Sequence, residues 1–275
     1  MTTKDQATAF DAFEHRGWLT AAAAYDTFFT PVTAKVVDPL LDAVEAGPGS
    51  DLLDMACGTG HLLASACSRG INAVGIDASP AMVELARHAA PEASVRTSDV
   101  QDLSFPDDSF DAVTAAFVLM HVAAPTRVVS EAVRILRRGG RLGVAVWDDP
   151  SRTRLIGWIL DAIAMAGASP SADVPDGPPF FAYADEAALV QLLEQNGLAD
   201  VAVHTVEFTH LVDTLDEVWT GLTEGTVRTA ALLRGQDDAT RSRVHEAFVS
   251  LAAPHTDADG VHIPVSVKLG VGQRS

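Results

Sequence analysis

Apolar positions follow two different periods between residues 50 and 150, and the two periods alternate. Short, nearly continuous apolar runs are typical of strands buried on both faces, whereas apolar positions three and four residues apart are typical of amphipathic helices. We predict strands at residues 51–55, 73–77, 94–97, 110–117 and 141–147. We predict helices at residues 61–68, 79–88 and 125–136. This alternation predicts a parallel sheet with helices on both faces.

The chain on either side of this block has a different pattern. Residues 4–46 have helical periodicity, which Pro31 and Pro39 interrupt. Further helices are predicted at residues 154–166 and 185–196, and further strands at residues 201–212 and 261–270. The stretch between the last two strands is helical in pattern and much longer than a hairpin loop, and such insertions usually cover a binding site. We therefore predict a helical cap (residues 1–46), an α/β core (47–212), a helical lid (213–258) and a final core strand (259–275).

The charge of the chain limits its partners. Asp and Glu total 37 against 19 Lys and Arg, which gives a formal charge of -18. An acidic field of this size repels phosphate backbones, and the basic cluster Arg134–Arg138 lies at a predicted helix end, where cations offset the helix dipole. We therefore expect a small-molecule substrate and no nucleic acid.

Membrane, export and metal signals are absent from the sequence pattern. No stretch reaches the roughly 18 continuous apolar residues that span a bilayer, and the first residues have no apolar signal core. We expect no membrane contact and a cytoplasmic location. Cys57 and Cys67 have no His or Cys at metal-ligand spacing, so we predict neither a metal site nor a disulfide.

The segment DLLDMACGTGHLL at residues 51–63 joins a buried strand to a helix through a glycine turn. Gly58 and Gly60 allow the main chain to approach a ligand closely, and the helix presents unpaired N–H groups above the turn. The dinucleotide fingerprint needs a third small residue, but Leu63 stands there, and the phosphate-loop pattern is absent. Asp54 ends the strand just before the turn, where a carboxylate repels pyrophosphate and attracts a cation. The turn therefore predicts a site for a cation-bearing, nucleotide-like ligand.

The sequence D-M-A-C-G-T-G at residues 54–60 resembles motif I of the class I S-adenosylmethionine-dependent methyltransferases, acid-x-G-x-G-x-G. The segments FPDDSFDAVTAAFVLMHV and ILRRGGRLGVAVWD resemble the fourth and fifth strand regions of the ubiquinone/menaquinone-biosynthesis-type subgroup. The resemblance covers residues 50–150 by motif and residues 200–270 by strand pattern. It implies a Rossmann-like α/β fold with a seven-stranded, mostly parallel sheet, an antiparallel last strand, an N-terminal helical cap and a helical insertion before the last strand. Ala56 departs from the motif, because glycine is commonest at its position.

The resemblance implies S-adenosylmethionine as cofactor and S-adenosylhomocysteine as product. It assigns Asp77 to the ribose hydroxyls and the pair Asp99–Val100 to the adenine amino group. We expect Asp54 to face the methionyl ammonium and Met82 to pack on adenine. The other expected cofactor residues are Trp18, Tyr25, Ala56, Cys57, Gly58, Gly60, Ala78 and Phe117.

The acceptor side is less defined by the motifs. His121 is the first choice for a general base and His210 the second. Candidates for the acceptor pocket are Phe181, Tyr183, Trp219, Thr226 and Arg228, each of which is also consistent with ordinary core packing. The predicted function is methyl transfer to oxygen, nitrogen or carbon of a small molecule, in specialised metabolism or quinone-like biosynthesis.

Two alternatives to this function stay open at this stage. One is a protein that keeps S-adenosylmethionine as a scaffold without methylating, and the other is an NAD(P)-dependent oxidoreductase, which shares the strand–turn–helix start. The N-terminal helical cap is also compatible with a homodimer.

Overall fold

The computed structural model describes residues 3–171 and 174–275. Residues 1 and 2 of the predicted cap, and residues 172 and 173, lie outside the described residues. Within the described ranges one sheet contains β1 (Asp51–Met55), β2 (Asn72–Asp77), β3 (Ser94–Thr97), β4 (Phe110–Ala116), β5 (Leu136–Trp147), β6 (Leu198–Val212), β7 (Thr256–Asp257) and β8 (Gly260–Arg274).

The same ranges contain the helices α1 (Thr3–Phe28), α2 (Thr30–Thr33), α3 (Val37–Ala43), α4 (His61–Ser68), α5 (Pro80–Ala89), α6 (Pro125–Ile135), α7 (Arg154–Met165), α8 (Glu186–Gln195), α9 (Leu215–Glu224), α10 (Arg228–Arg234) and α11 (Asp238–Ala252). Short 3-10 turns occupy Ala34–Val36, Leu119–His121 and Ala253–His255. Helix α5 begins where its sequence predicts, because Ser79 caps it and Pro80 occupies its first position.

The strand order is β3-β2-β1-β4-β5-β8-β6, with β7 paired to β8. Strands β1 to β5 pair in parallel, and β8 is antiparallel to both β5 and β6. The predicted Rossmann-like sheet of seven main strands with an antiparallel last strand is therefore confirmed. The two-residue strand β7 is an addition that no sequence pattern indicated. Because β1 lies between β2 and β4, the order reverses at β1, and ligands bind at the carboxyl ends of strands at such a point.

Several strand ends differ from their predicted positions. Strand β4 stops at Ala116, because Phe117 takes a φ of 55° and leaves the extended conformation. Strand β5 begins at Leu136, directly after α6, so its polar start at residues 137–140 was not recognised as strand. Strand β8 continues to Arg274, because β5 and β6 pair with it on both sides.

The central strands are buried on both faces, which explains their continuous apolar composition. Leu52, Leu53 and Val113 have no solvent exposure, and Trp158 of α7 is 1% exposed. The region at residues 213–258 folds into α9, α10 and α11, of which α9 packs against α1 and α11 against α7. The contact between α1 and α9 is close: a Cβ on Gly221 would lie 2.1 Å from the ring of Phe28. The cap and the insertion therefore meet above the sheet.

The candidate cofactor and acceptor site

The turn between β1 and α4 takes the left-handed conformation at Ala56 (φ 59°), Gly58 (φ 53°) and Gly60 (φ 86°). A Cβ on Gly60 would lie 2.6 Å from the Cα of Ala86, so glycine is required here for α4 to pack on α5. A Cβ on Gly58 would meet no atom within 4 Å. Gly58 therefore leaves open space for a ligand. Ala56 carries a cost of about 1–2 kcal/mol in this conformation, which explains why glycine is commonest at its position.

Asp77, at the end of β2, ties two ligand-facing loops together. Its Oδ2 accepts a hydrogen bond from the Gly58 N–H at 2.9 Å, and its Oδ1 accepts one from the Ser79 N–H at 2.8 Å. Burial raises the pKa of the Asp77 carboxyl despite these two bonds. Each carboxylate oxygen keeps a free lone pair. The side chain can therefore accept two further hydrogen bonds from a ligand diol.

Asp54 lies behind the glycine turn. Its side chain is 2% exposed, and the hydroxyl of Thr114 donates to its Oδ1 at 2.7 Å. Burial raises the pKa of Asp54 to about 7, against the effect of the Thr114 hydrogen bond. Asp54 borders a small cavity of about 30 Å³, which is also lined by Ala56 and Phe117. It is not among the described residues that line the main cavity, so it lies behind the lining residues Ala56 and Gly58 of the same turn.

The main cavity has a volume of about 780 Å³ and lies beyond the carboxyl ends of β1, β2 and β4, under α1 and α10. The expected cofactor residues that line it are Trp18, Tyr25, Ala56, Gly58, Asp77, Ala78, Met82, Asp99, Val100 and Phe117. Cys57 and Gly60 belong to the turn but are not among the described lining residues. Cys57 is 4% exposed, and its N–H donates to the carbonyl of Ile76 at 2.8 Å, so it joins β1 to β2.

One end of the cavity combines buried apolar and exposed acidic groups. Met82 is 4% and Val100 5% exposed, whereas the carboxylate of Asp99 is in solvent and accepts from the Gln101 N–H at 2.8 Å. The Gln101 side chain donates to Asp11 of α1 at 3.2 Å. This end therefore offers an apolar surface for a flat ring and a carboxylate acceptor at its edge.

The middle of the cavity holds three interacting residues: His121, Glu14 and Arg228. His121 Nδ1 lies 3.0 Å from Oε2 of Glu14, and Arg228 Nε donates to Oε1 of the same carboxylate at 2.8 Å. Glu14 is 2% exposed. It was not among the sequence candidates, although a signal existed: Phe10, Glu14 and Trp18 are four residues apart, so the acid lies on the apolar face of α1.

The other end of the cavity is apolar. Phe180, Phe181, Ile156, Leu160 and Leu222 line it. Phe181 and Arg228 were acceptor-side candidates, and the structure brings both to the cavity, together with Thr226.

The structure corrects three acceptor-side predictions, because the side chains do not reach the described lining of the cavity. Trp219 packs against α11, with ring centroids 4.7 Å from His245 and 5.4 Å from Phe248. Tyr183 is partly buried and packs against the hydrophobic core. His210 lies on the edge strand β6, where burial and the charge of Lys35 lower its pKa, so its role as second base is not supported.

The charges of the cavity fit a cationic ligand. Asp11, Glu14, Asp77 and Asp99 line it, and Arg228 is the one Lys or Arg among the described lining residues. Since Arg228 is paired with Glu14, a pyrophosphate would meet no free cation on this lining. Among the described residues there is no cluster of side chains suited to a metal ion, and no helix long and apolar enough to span a membrane.

Comparisons with known proteins agree with this geometry. The family described as "Methyltransferase domain" matches residues 53–144. The demethylmenaquinone methyltransferase of Renibacterium salmoninarum is 33% identical over 171 residues, which cover 59% of this chain and 72% of that protein. The nocamycin O-methyltransferase of Saccharothrix syringae is 36% identical over 162 residues, covering 52% and 56%. A Haemonchus contortus phosphoethanolamine N-methyltransferase shares the fold, with a TM-score of 0.57, 15% identity and coverage of 96% and 60%.

The chain belongs to the S-adenosylmethionine-dependent methyltransferases. The resemblance drawn from motif I is thereby confirmed, and the NAD(P)-dependent alternative is set aside. When bound, S-adenosylmethionine supplies a methyl group activated by its sulfonium centre. The part of this chain is to position that methyl group and an acceptor and to exclude water from them.

Proposed function

We propose that this methyltransferase acts on a small, uncharged and largely apolar acceptor, in specialised metabolism or quinone-like biosynthesis. The supporting observation is the composition of the acceptor end of the cavity. Its side chains are aromatic and aliphatic, and Arg228, the one Arg among the described lining residues, is already paired with Glu14. Unpaired charges on an acceptor are costly to desolvate in such a place. The similarity to a demethylmenaquinone methyltransferase and to a nocamycin O-methyltransferase supports this choice.

The cofactor is proposed to lie along the carboxyl ends of the strands. Asp77 accepts hydrogen bonds from the ribose hydroxyls with the lone pairs that Gly58 and Ser79 leave free. Asp99 and Val100 read the adenine edge, and Met82 packs on the ring. The remaining contacts are proposed for the lining residues Trp18, Tyr25, Ala56, Gly58, Ala78 and Phe117. Cys57 and Gly60 act through the conformation of the turn.

Asp54 is proposed to act on the methionyl ammonium from behind the turn. Its pKa of about 7 means that it is partly protonated in the free protein near neutral pH. A nearby ammonium favours the ionised carboxylate. Binding of the ligand should therefore release a proton from this site.

Two measurements test the proposal. Isothermal titration should give binding of S-adenosylhomocysteine and none of NADH. Incubation with S-adenosylmethionine and a panel of phenols, reduced naphthoquinones, amines and carboxylic acids should give S-adenosylhomocysteine with uncharged ring acceptors. Product formation confined to charged acceptors refutes the acceptor class, and cofactor binding without product over the whole panel favours the scaffold role.

Location and assembly are separate parts of the proposal. A cytoplasmic location follows the sequence expectation, and cell fractionation tests it. For a homodimer, light scattering of the purified chain should give twice the 28.9 kDa of one chain. A mass of 28.9 kDa contradicts the dimer.

A further inference from the structure

The Glu14 carboxylate fixes which ring nitrogen of His121 faces it with a proton. Burial alone acts to raise the pKa of Glu14, but His121 and Arg228 outweigh it, so that the pKa lies below its ordinary value. An ionised carboxylate can only accept hydrogen bonds. The contact of 3.0 Å between Oε2 and His121 Nδ1 therefore requires the proton on Nδ1. In the neutral imidazole, Nε2 then carries a free lone pair, and no described residue makes a hydrogen bond to it.

Arg228 holds this carboxylate in place and is not free for a ligand. Besides Glu14, its guanidinium donates to the carbonyl of Pro178 at 3.0 Å and to the carbonyl of Met120. It also lies over the Phe10 ring, 4.6 Å from the centroid. The lid helix α10, the loop that carries Pro178, Phe180 and Phe181, the turn after β4 and α1 therefore meet at one side chain. That side chain orients the Glu14–His121 pair.

The surroundings of His121 limit what it can meet. The rings of Trp18 and Phe180 approach it edge to face, with centroids 5.1 Å and 5.6 Å away. Three charged residues of α1 and α10 bond to this turn or to each other beside it: Glu14, Arg228 and Asp11, whose carboxylate accepts from the Ala123 N–H at 2.8 Å. His15 of α1 also lines the cavity and lies near Asp77. An approaching group therefore meets Nε2 of His121 between two aromatic rings.

We propose that His121, oriented by Glu14, removes the proton of a weakly acidic hydroxyl group on a neutral, apolar ring acceptor. This inference rests on the proposed function and narrows its acceptor class. The hydroxyl oxygen forms a bond to the methyl carbon while the carbon–sulfur bond breaks and sulfur keeps the electron pair. The hydroxyl proton moves to Nε2 of His121. His121 is the catalytic residue and Glu14 is a positioning residue.

The charges that form and disappear in this methyl transfer are compatible with the charged groups of the cavity. The positive charge of the sulfonium disappears as the imidazolium forms, and the Glu14 carboxylate lies next to the new cation. A carboxylate acceptor would need no base and would face Glu14 and Asp11 without a free cation among the described lining residues. A hydroxyl group needs a base because it is a poor nucleophile while protonated.

Three probes with the same ring test the acceptor class: 2-naphthol, 2-naphthylamine and 2-naphthoic acid. The wild-type protein should form 2-methoxynaphthalene from 2-naphthol and no methylated product from the other two. His121→Gln and Glu14→Gln should each lower kcat about 100-fold or more, the scale of general-base catalysis, while S-adenosylhomocysteine affinity changes less than about twofold. Glu14→Asp should recover part of the lost kcat without a change in KM.

The chain offers a matched control in the exposed pair His88 and Glu84, whose atoms approach to 3.7 Å on α5. His88→Gln and Glu84→Gln should leave kcat unchanged. A readout without turnover covers the case in which Glu14→Gln folds poorly: nitrogen-15 spectra of the wild-type imidazole should show the proton on Nδ1 of His121, with S-adenosylhomocysteine bound or absent. Glu14→Gln should lose this tautomer preference.

The outcomes separate this inference from the broader proposal. Full turnover by His121→Gln, a proton on Nε2 in the wild type, or no product from 2-naphthol overturns the role of His121 or the hydroxyl class. Methylation of 2-naphthylamine alone would leave an uncharged ring acceptor, and hence the proposed function, intact. Failure of S-adenosylhomocysteine to bind removes both.

Discussion

Replacing either glycine of the β1–α4 turn by alanine should have a different effect: Gly58→Ala should mainly weaken ligand binding, and Gly60→Ala should mainly lower the stability of the fold. Gly58→Ala places a Cβ in open space at the cavity, whereas Gly60→Ala places one 2.6 Å from the Cα of Ala86. Both substitutions impose the left-handed penalty of about 1–2 kcal/mol, offset by about 0.5–1 kcal/mol from the less flexible unfolded chain. Gly60→Ala adds about 1–3 kcal/mol of overpacking, because backbone of α5 must move.

These terms give a net loss of about 1 kcal/mol for Gly58→Ala and about 2–4 kcal/mol for Gly60→Ala. At about 2–4 °C per kcal/mol for a chain of this size, Tm should fall by about 2–4 °C and about 4–16 °C respectively. The methyl group of Gly58→Ala occupies space where the proposed cofactor approaches the backbone. Affinity for S-adenosylhomocysteine should therefore drop at least tenfold, which is about 1.4 kcal/mol.

Scanning calorimetry and isothermal titration measure the two quantities. Gly47→Ala is the control, since its Cβ also meets nothing within 4 Å but its φ lies outside the left-handed region. It should leave both Tm and affinity close to those of the wild type. Equal Tm values for Gly58→Ala and Gly60→Ala, or unchanged affinity in Gly58→Ala, would refute the separation of packing and binding roles.

The remaining predictions concern Asp54, Asp77 and Gly221. Asp54→Asn should remove a pH dependence of binding. Because Asp54 must lose its proton when the ligand binds, the wild type should gain affinity for S-adenosylhomocysteine as the pH rises toward about 7 and then level off. The gain should be at most tenfold per pH unit. A parallel pH profile in the variant contradicts this. Asp77→Asn should weaken the binding of S-adenosylhomocysteine about 10- to 100-fold, because it replaces one charged acceptor by a donor that faces a backbone N–H. An unchanged dissociation constant in this variant would contradict the assignment of Asp77 to the ribose. Gly221→Ala should lower the free energy of unfolding by about 1–3 kcal/mol in chemical denaturation, because the added methyl group pushes α9 away from Phe28. A variant as stable as the wild type would show that this contact is loose.

The α/β core and the cofactor end of the cavity can be predicted from the sequence because both depend on local sequence patterns. Asp54, Gly58 and Asp77 stand at fixed offsets from buried strands, and strand ends of a parallel sheet meet at one edge. Periodicity placed the helices and the main strands to within a few residues. The polar beginning of β5 is not predicted because residues 137–140 have no apolar alternation and lie in the register shift between Leu136 and Arg141, the two β5 residues that pair with β4 on either side of them.

The acceptor end could not be predicted in the same way. Glu14 and Arg228 are 214 residues apart, and nothing local indicates that they share an ion pair. Trp219 illustrates the opposite error: an aromatic residue on a lid helix was assigned to the cavity, but its side of α9 faces α11. Which face of α9 and α10 points inward depends on how the lid meets α1, and that contact is tertiary.

Because the groups around the cavity come from separate segments of the chain, these segments can diverge in sequence independently. Residues 53–144, which match the family, contain His121 and the proposed donor contacts Asp77, Met82 and Asp99, while Glu14, Phe180 and Arg228 belong to segments outside this stretch. Exchange of those outer segments can therefore change the groups that surround His121 while Asp77, Met82 and Asp99 keep their places at the strand ends.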